Sequence, residues 1–366
     1  MPYLNSKKNK EVNILLNFAL LGCGKIAQRH SNLLGNNEIS GAKLAAVCDA
    51  KIENAEIISK KFNVPCFSNM EKMMETCKID VVVILTPSGL HAEHTIRLAK
   101  FGCDILVEKP MALTLSDADL MIEACDREGV KLFVVKQNRF NVPVVALRQA
   151  LEDGRFGKLI MGTTRVRWCR HQAYYDQDSW RGTWAFDGGV LANQASHHID
   201  LLEWMMGGVE SVSAKSINAL ANIEAEDTAI ALLKFKNGAL GVIEATTAVR
   251  PKDLEGSLSI LGEKGSVEIG GFAANELKTW NFSEDKEVDE KIFQNAYENP
   301  NHKYGYAHKK YYDHVVDCIN GQSPQLVDGL QGRRSLELIN TIYRSIETNS
   351  EINISHQSGS SKLGKI

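Results

Sequence analysis

The stretch Asn17-Phe18-Ala19-Leu20-Leu21-Gly22-Cys23-Gly24-Lys25-Ile26-Ala27 decides the fold. A short apolar run of strand character meets a G-x-G-x-x-A turn, and residues 26–34 then continue with helical spacing. Each small residue serves a distinct purpose, in that Gly22 permits the tight turn, Gly24 lets a pyrophosphate approach the backbone, and Ala27 lets helix and strand pack closely. The helix N-terminus, where Lys25 and Ile26 stand, favours the anion. Asp49 follows at the end of the next apolar run. A carboxylate there accepts hydrogen bonds from ribose hydroxyls and repels a 2′-phosphate, so NAD is expected rather than NADP.

Working outward, apolar runs at 44–48, 81–85, 104–107 and 131–136 join 17–21 as five strands, each nearly continuous in apolar residues, as strands covered on both faces should be. Helical spacing at 26–34, 52–62, 92–101 and 116–128 separates them, which predicts βαβ units and a doubly wound parallel sheet. After a helix at 144–152 the period changes to two. Runs at 158–170, 209–217, 228–236, 239–247, 258–261 and 266–269 read as strands of a large, mostly antiparallel open sheet connected by hairpins, with Asn237-Gly238 the strongest turn signal. Two late helices, 307–319 and 332–347, follow. The fold class is therefore α/β plus α+β. The expected division is an N-terminal extension over 1–16, a nucleotide-binding domain over 17–140, a second domain over 141–348, to which the family resemblance given below assigns substrate binding and oligomerisation, and a disordered tail over 349–366. The late helices are expected to pack on the core, with a return to the first domain left open.

Composition narrows the function. With 366 residues, a net charge of −3 and 44% hydrophobic residues, the chain gives no electrostatic reason to bind nucleic acid or an anionic membrane. Neither a signal-peptide pattern nor an apolar run long enough to span a bilayer is present, so a cytoplasmic protein is expected. The eight cysteines include no C-x-x-C pair and the ten histidines no zinc-type cluster, which predicts reduced thiols and no metal.

Chemistry-bearing residues cluster at strand ends. Thr86-Pro87-Ser88-Gly89-Leu90-His91 ends the run 81–85 at the edge where open α/β sheets bind ligands, so Thr86 and Ser88 are candidates for the cofactor; His91 either contacts it or caps and packs. Glu108-Lys109-Pro110 ends the next strand. Lys109 is either an ion-paired edge residue or a functional cation. Further on, Asp187-Gly188-Gly189-Val190-Leu191-Ala192-Asn193-Gln194-Ala195-Ser196-His197-His198-Ile199-Asp200 reads as a glycine turn continuing into a helix, with Asn193 and His197 on one face.

These motifs, in this order and spacing, resemble the Gfo/Idh/MocA oxidoreductase family over about residues 17–347. The resemblance implies an N-terminal Rossmann domain and a C-terminal open sheet that carries substrate and subunit contacts, hence a homo-oligomer, dimer or tetramer. It implies Lys109, before a cis proline, and His197 as the catalytic pair, with His197 transferring the proton. Asn193 stands where many members have an aspartate, which removes a possible carboxylate partner for Lys109. Glu108, Gln137, Trp180 and Arg181 are carried over to the cofactor site. Within the family, residues 136–141, 165–170 and 174–184 resemble the nucleotide-sugar branch, more narrowly the UDP-N-acetyl-2-amino-2-deoxyglucuronate 3-dehydrogenases of surface-polysaccharide synthesis. Asn193, by its place in the motif, and Arg139, Arg165, Arg167, Arg170 and Tyr174 are then candidates for the substrate, since Arg forks suit a carboxylate or diphosphate and aromatics suit sugar and uracil faces. The bland alternative for the Arg-x-Arg-x-x-Arg run is a strand with a solvated face. Some members of that branch reoxidise held nicotinamide with 2-oxoglutarate, which would make it a further ligand. Dehydrogenation of a free sugar or cyclitol and a non-catalytic NAD-binding regulator remain as alternatives; retention of both Lys109 and His197 speaks against the regulator.

Overall fold

A computed structural model of the chain describes residues 14–284, 289–290, 292, 306–354 and 361–365. The chain forms two compact units. The first takes the residues up to Ala112, Ser116–Val135 and Lys309–Arg333; the second takes Leu113–Leu115, Lys136–His308 and the residues from Arg334 onward.

In the first unit six parallel strands, β1 (Leu16–Leu21), β2 (Ala42–Cys48), β3 (Cys66–Phe67), β4 (Val81–Ile84), β5 (Asp104–Val107) and β6 (Leu132–Val134), lie in the order β3-β2-β1-β4-β5-β6. The order reverses between β1 and β4, so the ends of these two strands form the switch point at which such sheets bind ligands. Every residue of β4 and all but the first of β5 are buried, as strands with helices on both faces require. Helices α1 (Ala27–Gly35), α2 (Ile52–Phe62), α3 (Met70–Thr76), α4 (His91–Ala99) and α5 (Leu115–Glu128) make the crossovers. Asn69 caps α3, its side chain accepting the Lys72 N–H at 2.8 Å. The edge strand β6 is covered by the late segment: Tyr311 donates to the Val134 carbonyl at 2.7 Å, Gln325 to the Leu132 carbonyl at 2.6 Å, and Phe133 bridges Asp328. The eight cysteines are free thiols, and burial pushes those of Cys23, Cys48, Cys103 and Cys125 up to about 12.

The second unit is built on eight strands in the order β13-β12-β11-β7-β10-β9-β8-β14. They are β7 (Leu159–Arg167), β8 (Val209–Ile217), β9 (Thr228–Phe235), β10 (Leu240–Thr246), β11 (Glu255–Gly262), β12 (Gly265–Gly270), β13 (Glu276–Phe282) and β14 (Ile352–Asn353). Adjacent hairpins account for β8-β9-β10 and β11-β12-β13. The expected run of hairpins is broken at β7, which lies between β10 and β11 and pairs parallel with β10. Helices α6 (Val142–Glu152), α7 (Gln172–Tyr175), α8 (Ser196–Met206), α9 (Ala307–Ile319) and α10 (Gly329–Thr348) complete the chain, α9 and α10 each contributing residues to both units. Val166, Ala231, Ile243 and Ile260 are fully buried on the covered face, whereas Ile160, Ile230, Leu232 and Leu240 are more than half exposed on the strands that alternate with them.

Part of the stretch expected as a disordered tail is built into this unit. Ile352 and Asn353 extend the sheet along β8, Leu363 is fully buried, and the buried Ser361 hydroxyl donates to Asn340 Oδ1 at 2.7 Å. Polar, glycine-rich composition hid a segment anchored by one apolar side chain and a few hydrogen bonds. Among the described residues no helix is long and apolar enough to cross a membrane.

Candidate active site

The glycine turn after β1 fits a dinucleotide for reasons visible in its backbone. Gly22 has φ +96°, and a Cβ there would meet the Leu85 carbonyl and Thr86 nitrogen at 2.8–2.9 Å, so β1 and β4 end too close together for any other residue. Gly24 differs: a Cβ there would meet nothing within 4 Å. The protein itself does not need that glycine, whereas a pyrophosphate lying on the backbone does. Gly24 and Lys25 are exposed, and Ile26 is the residue preceding α1. Asp49 Oδ2 accepts the Cys23 N–H at 2.7 Å, and its Oδ1 accepts the Lys51 N–H at 2.8 Å. One carboxylate thus holds the turn while standing at the end of β2, where ribose hydroxyls are read. Asp49→Ala is expected to raise the affinity for NADP relative to NAD; titration of each cofactor by fluorescence checks this, and an unchanged ratio would remove the assignment.

At the end of β4, Thr86 Oγ1 lies 3.0 Å from His94 Nδ1, and Ser88 is buried at the head of a 3₁₀ turn. His91 faces two backbone carbonyls, of Pro110 (2.9 Å from Nδ1) and Thr86 (2.8 Å from Nε2), and is 1% exposed. Of its two expected roles, packing is the one its surroundings favour. At the end of β5 the Lys109–Pro110 bond is cis. Glu108, expected at the cofactor, directs its carboxylate to His30 Nε2 (3.1 Å) and to the Lys109 N–H (2.9 Å).

In the second unit, α8 starts at Ser196. The sequence predicts a helix running on from the glycines, but residues 190–195 are turns, in which Asn193 N–H donates to the Gly189 carbonyl and the Ser196 hydroxyl to the Asn193 carbonyl. Asn193 therefore does not share a helix face with His197; its side chain donates to Asp187 Oδ1, and Asp187 Oδ2 accepts the Gly182 N–H at 2.8 Å. The turn is fastened from below by Glu226, a residue the sequence does not single out. Its Oε1 accepts the Leu191 N–H at 3.0 Å and the Tyr343 hydroxyl at 3.0 Å, and a Cβ on Gly189 would strike it at 2.2 Å. Burial pushes the Glu226 carboxyl up to about 7.

His197 is half-buried in the first turn of α8, its Nε2 3.0 Å from Gln137 Nε2. Gln137, expected at the cofactor, is thus placed against the proton-transfer candidate. The neighbouring His198 is different: it is 1% exposed, lies edge-on to Trp168 at 5.9 Å, and burial drives its pKa down to about 4. It is a neutral packing residue. Arg139, expected at the substrate, is instead sealed at 1% exposure, its fork donating to both oxygens of Asp200 at 2.8 Å with Trp204 against its face at 4.6 Å. The fork is matched to a carboxylate of its own chain.

The three arginines of the Arg-x-Arg-x-x-Arg run divide. Arg165 and Arg167 alternate with buried Val166 and form a ladder with Glu244 and Glu255, at 2.5 Å for Arg167 Nε to Glu244 Oε1 and 3.5 Å for Arg165 to Glu255. Arg170 belongs elsewhere. It lies between the Trp168 ring at 5.2 Å and the Tyr174 ring at 5.6 Å, while Arg181, expected with Trp180 at the cofactor, lies 4.7 Å from Tyr174, a substrate candidate, and 4.6 Å from Trp180. Arg170 and Arg181 are anchored by Asp253 and Asp178, each at 2.9 Å. Two guanidinium groups and three aromatic rings thus alternate, and one of them, Arg181, lines a cleft of about 410 Å³ together with Tyr175, Thr183 and Glu224.

Comparison with known proteins identifies the family of the two domains. Residues 16–136 match the model of an oxidoreductase family's NAD-binding Rossmann fold, and residues 148–354 that of the same family's C-terminal alpha/beta domain. The chain is similar to the solved WlbA dehydrogenase from Bordetella pertussis in complex with NADH and UDP-GlcNAcA, with 41% identity, a TM-score of 0.90, and coverage of 93% of this chain and 98% of that one. It is 24% identical to the D-glucoside 3-dehydrogenase of Escherichia coli over 93% of this chain and 97% of that protein. It is 29% identical to the D-apiose dehydrogenase of Paraburkholderia graminis over 63% of this chain and 60% of that protein.

Proposed function

Since this chain belongs to the Gfo/Idh/MocA oxidoreductase family, whose two domain models match it over residues 16–136 and 148–354, we propose that it oxidises a ring secondary alcohol of a nucleotide sugar. The proposed position is C3 of UDP-2-acetamido-2-deoxyglucuronate, and the setting is the synthesis of surface-polysaccharide sugars. The observation that carries this reading is the 41% identity, over nearly the whole of both chains, to a dehydrogenase solved with UDP-GlcNAcA, against 24–29% for the free-sugar enzymes. The alternating Arg170, Tyr174, Arg181 and Trp180 array supports it, because guanidinium forks suit a diphosphate or carboxylate and rings suit a uracil or sugar face.

Gly22, Gly24, Asp49, Thr86 and Ser88 would hold NAD, which supplies the hydride acceptor when bound. The rest is done by side chains of the chain. His197 takes the hydroxyl proton as the alcohol is oxidised, the role of a general base. Lys109 stabilises the negative charge that develops on that oxygen. The ladder of Arg165 and Arg167 with Glu244 and Glu255 leaves these two arginines to the sheet face rather than to the sugar. The exposed apolar side chains of that sheet are read as the contact between copies in a homo-oligomer.

A substrate panel tests this reading. Purified protein with NAD is offered UDP-2-acetamido-2-deoxyglucuronate, myo-inositol and D-glucose, with and without 2-oxoglutarate, and products are followed by mass spectrometry. A 3-keto nucleotide sugar is expected, with 2-hydroxyglutarate accumulating where 2-oxoglutarate recycles the cofactor. Turnover of the free polyols with no binding of UDP-sugar would return the reading to a free-sugar or cyclitol dehydrogenase.

A further inference from the structure

Two buried histidines of the first unit converge on Glu108, Lys109 and Pro110. The β4–β5 ladder ends where the Glu108 N–H donates to the Ile84 carbonyl at 3.0 Å. Past that point the backbone must find other partners. The Lys109 N–H donates to Glu108 Oε2 at 2.9 Å, and Glu108 Oε1 lies 3.1 Å from His30 Nε2. His30, on α1, is fully enclosed, and its Nδ1 stands 2.6 Å from the Tyr312 hydroxyl. Burial holds the Tyr312 pKa well above its ordinary value, so the phenol is neutral and can donate to Nδ1. A carboxylate oxygen only accepts, so Nε2 is the ring nitrogen that donates to Glu108.

His91 grips the other end. Its Nδ1 is 2.9 Å from the Pro110 carbonyl and its Nε2 2.8 Å from the Thr86 carbonyl, so one ring spans the carboxyl ends of β4 and β5. Burial pushes the His91 pKa down, while the two carbonyls and the Glu108 charge act to retain its ring proton. Neither histidine is on the segment it holds. Together they supply hydrogen-bond partners that the strands no longer provide.

We propose that His30 and His91 are positioning residues that fix the Glu108–Pro110 segment from its two ends and so set where the Lys109 ammonium stands. This rests on the reading of Lys109 as the charge-stabilising cation of the dehydrogenation.

Two readouts test it. Amide hydrogen exchange at residues 108–111 needs no substrate: His91→Leu and His30→Gln are each expected to speed it at least tenfold, and His91→Gln, which keeps one donor, should restore most of the protection. Unchanged exchange in the Leu variant overturns the proposal whatever Lys109 does. The second readout is turnover. A displacement of about 1 Å can cost ~10²-fold in rate, so His91→Leu should lower kcat ~10–100-fold with the Kd for NADH within about threefold. In a Lys109→Ala background the same substitution should change the residual rate by less than about twofold. An equal fractional loss in both backgrounds, or a loss confined to NADH affinity, overturns the proposal. Lys109→Ala with full turnover would instead remove the assigned role of Lys109, leaving the exchange result to judge whether the two histidines hold the segment. Should His91→Leu fail to fold, His30→Gln and the milder Tyr312→Phe carry both arms.

Discussion

Replacing His197 by asparagine is expected to lower kcat by ~10²–10⁴ while leaving the Kd for NADH within about twofold, because a positioned general base is lost and nothing of the glycine turn is touched. A secondary alcohol can release its hydride only as its hydroxyl proton leaves. An imidazole accepts that proton near neutrality, whereas an amide does not. His197 stands half-buried in the first turn of α8, with Gln137 Nε2 3.0 Å from its Nε2. Gln137, which carries no charge, is thus one of the groups that orient the ring. Gln137→Leu should cost less than His197→Asn, since it loosens the ring without removing the base. The measurement is turnover of the nucleotide sugar from pH 6 to 9. Near-wild-type rates for His197→Asn across that range would place the base elsewhere. His198 could not take over: burial holds its pKa near 4, and its ring packs edge-on against Trp168.

Why some of this is legible in the sequence and some is not follows from what a local pattern can encode. Strands β1, β2, β4 and β5 are readable because burial on both faces makes a run continuously apolar, and the glycine turn is readable because Gly22 answers to a backbone clash that no other residue relieves. The two-residue β3 and the short α3 carry too few residues to show a period. The parallel pairing of β7 with β10 is hidden because alternation names a strand's faces and says nothing of its neighbours. Site residues follow the same division. Lys109 and His197 stand out through motif order, but Arg139 and Arg170 look alike in sequence. Only the fold shows that one fork is closed by Asp200 while the other lies between Trp168 and Tyr174. Glu226, which fastens the turn before α8, gives no signal, since its partners, the Leu191 N–H and the Tyr343 hydroxyl, lie far along the chain, and the Asp187 contacts with Gly182 and Asn193 follow no regular period.

Asp200→Ala is expected to destabilise the protein by about 3–5 kcal/mol, the cost of leaving buried cations without their counter-charge. Asp200 is 1% exposed and accepts two hydrogen bonds from Arg139 at 2.8 Å, with the Lys136 ammonium 3.5 Å away and itself only 3% exposed. Removing the carboxylate strands both cations at once. Burial alone would raise the Asp200 pKa, but the charges of Arg139 and Lys136 outweigh it and hold the carboxyl below its ordinary value. A depressed folded pKa gives stability that is fully present above the unfolded carboxylate value, near 3.8, and is lost only as pH falls through the folded one. Asp200 itself adds no pH dependence between pH 5 and 8, but the buried Glu203 carboxyl, pushed up to about 7 by burial and by the Asp200 charge, titrates there; the gap between wild type and Asp200→Asn should therefore shrink somewhat from pH 5 to 8 and be lost in strong acid. Urea unfolding at several pH values measures it. A loss below about 1 kcal/mol, or a gap that widens from pH 6 to 8, would mean the cluster is held by other groups. The consequence reaches function through geometry. Asp200 lies one helical turn beyond His197, and Arg139 lies two residues beyond Gln137, so the Asp200–Arg139 pair sets the register between α8 and the 3₁₀ turn Gln137–Phe140. In about 1 M sulfate, which strengthens burial and keeps the variant folded, Asp200→Asn should still turn over more slowly than wild type, because the contact between Gln137 and His197 depends on that register.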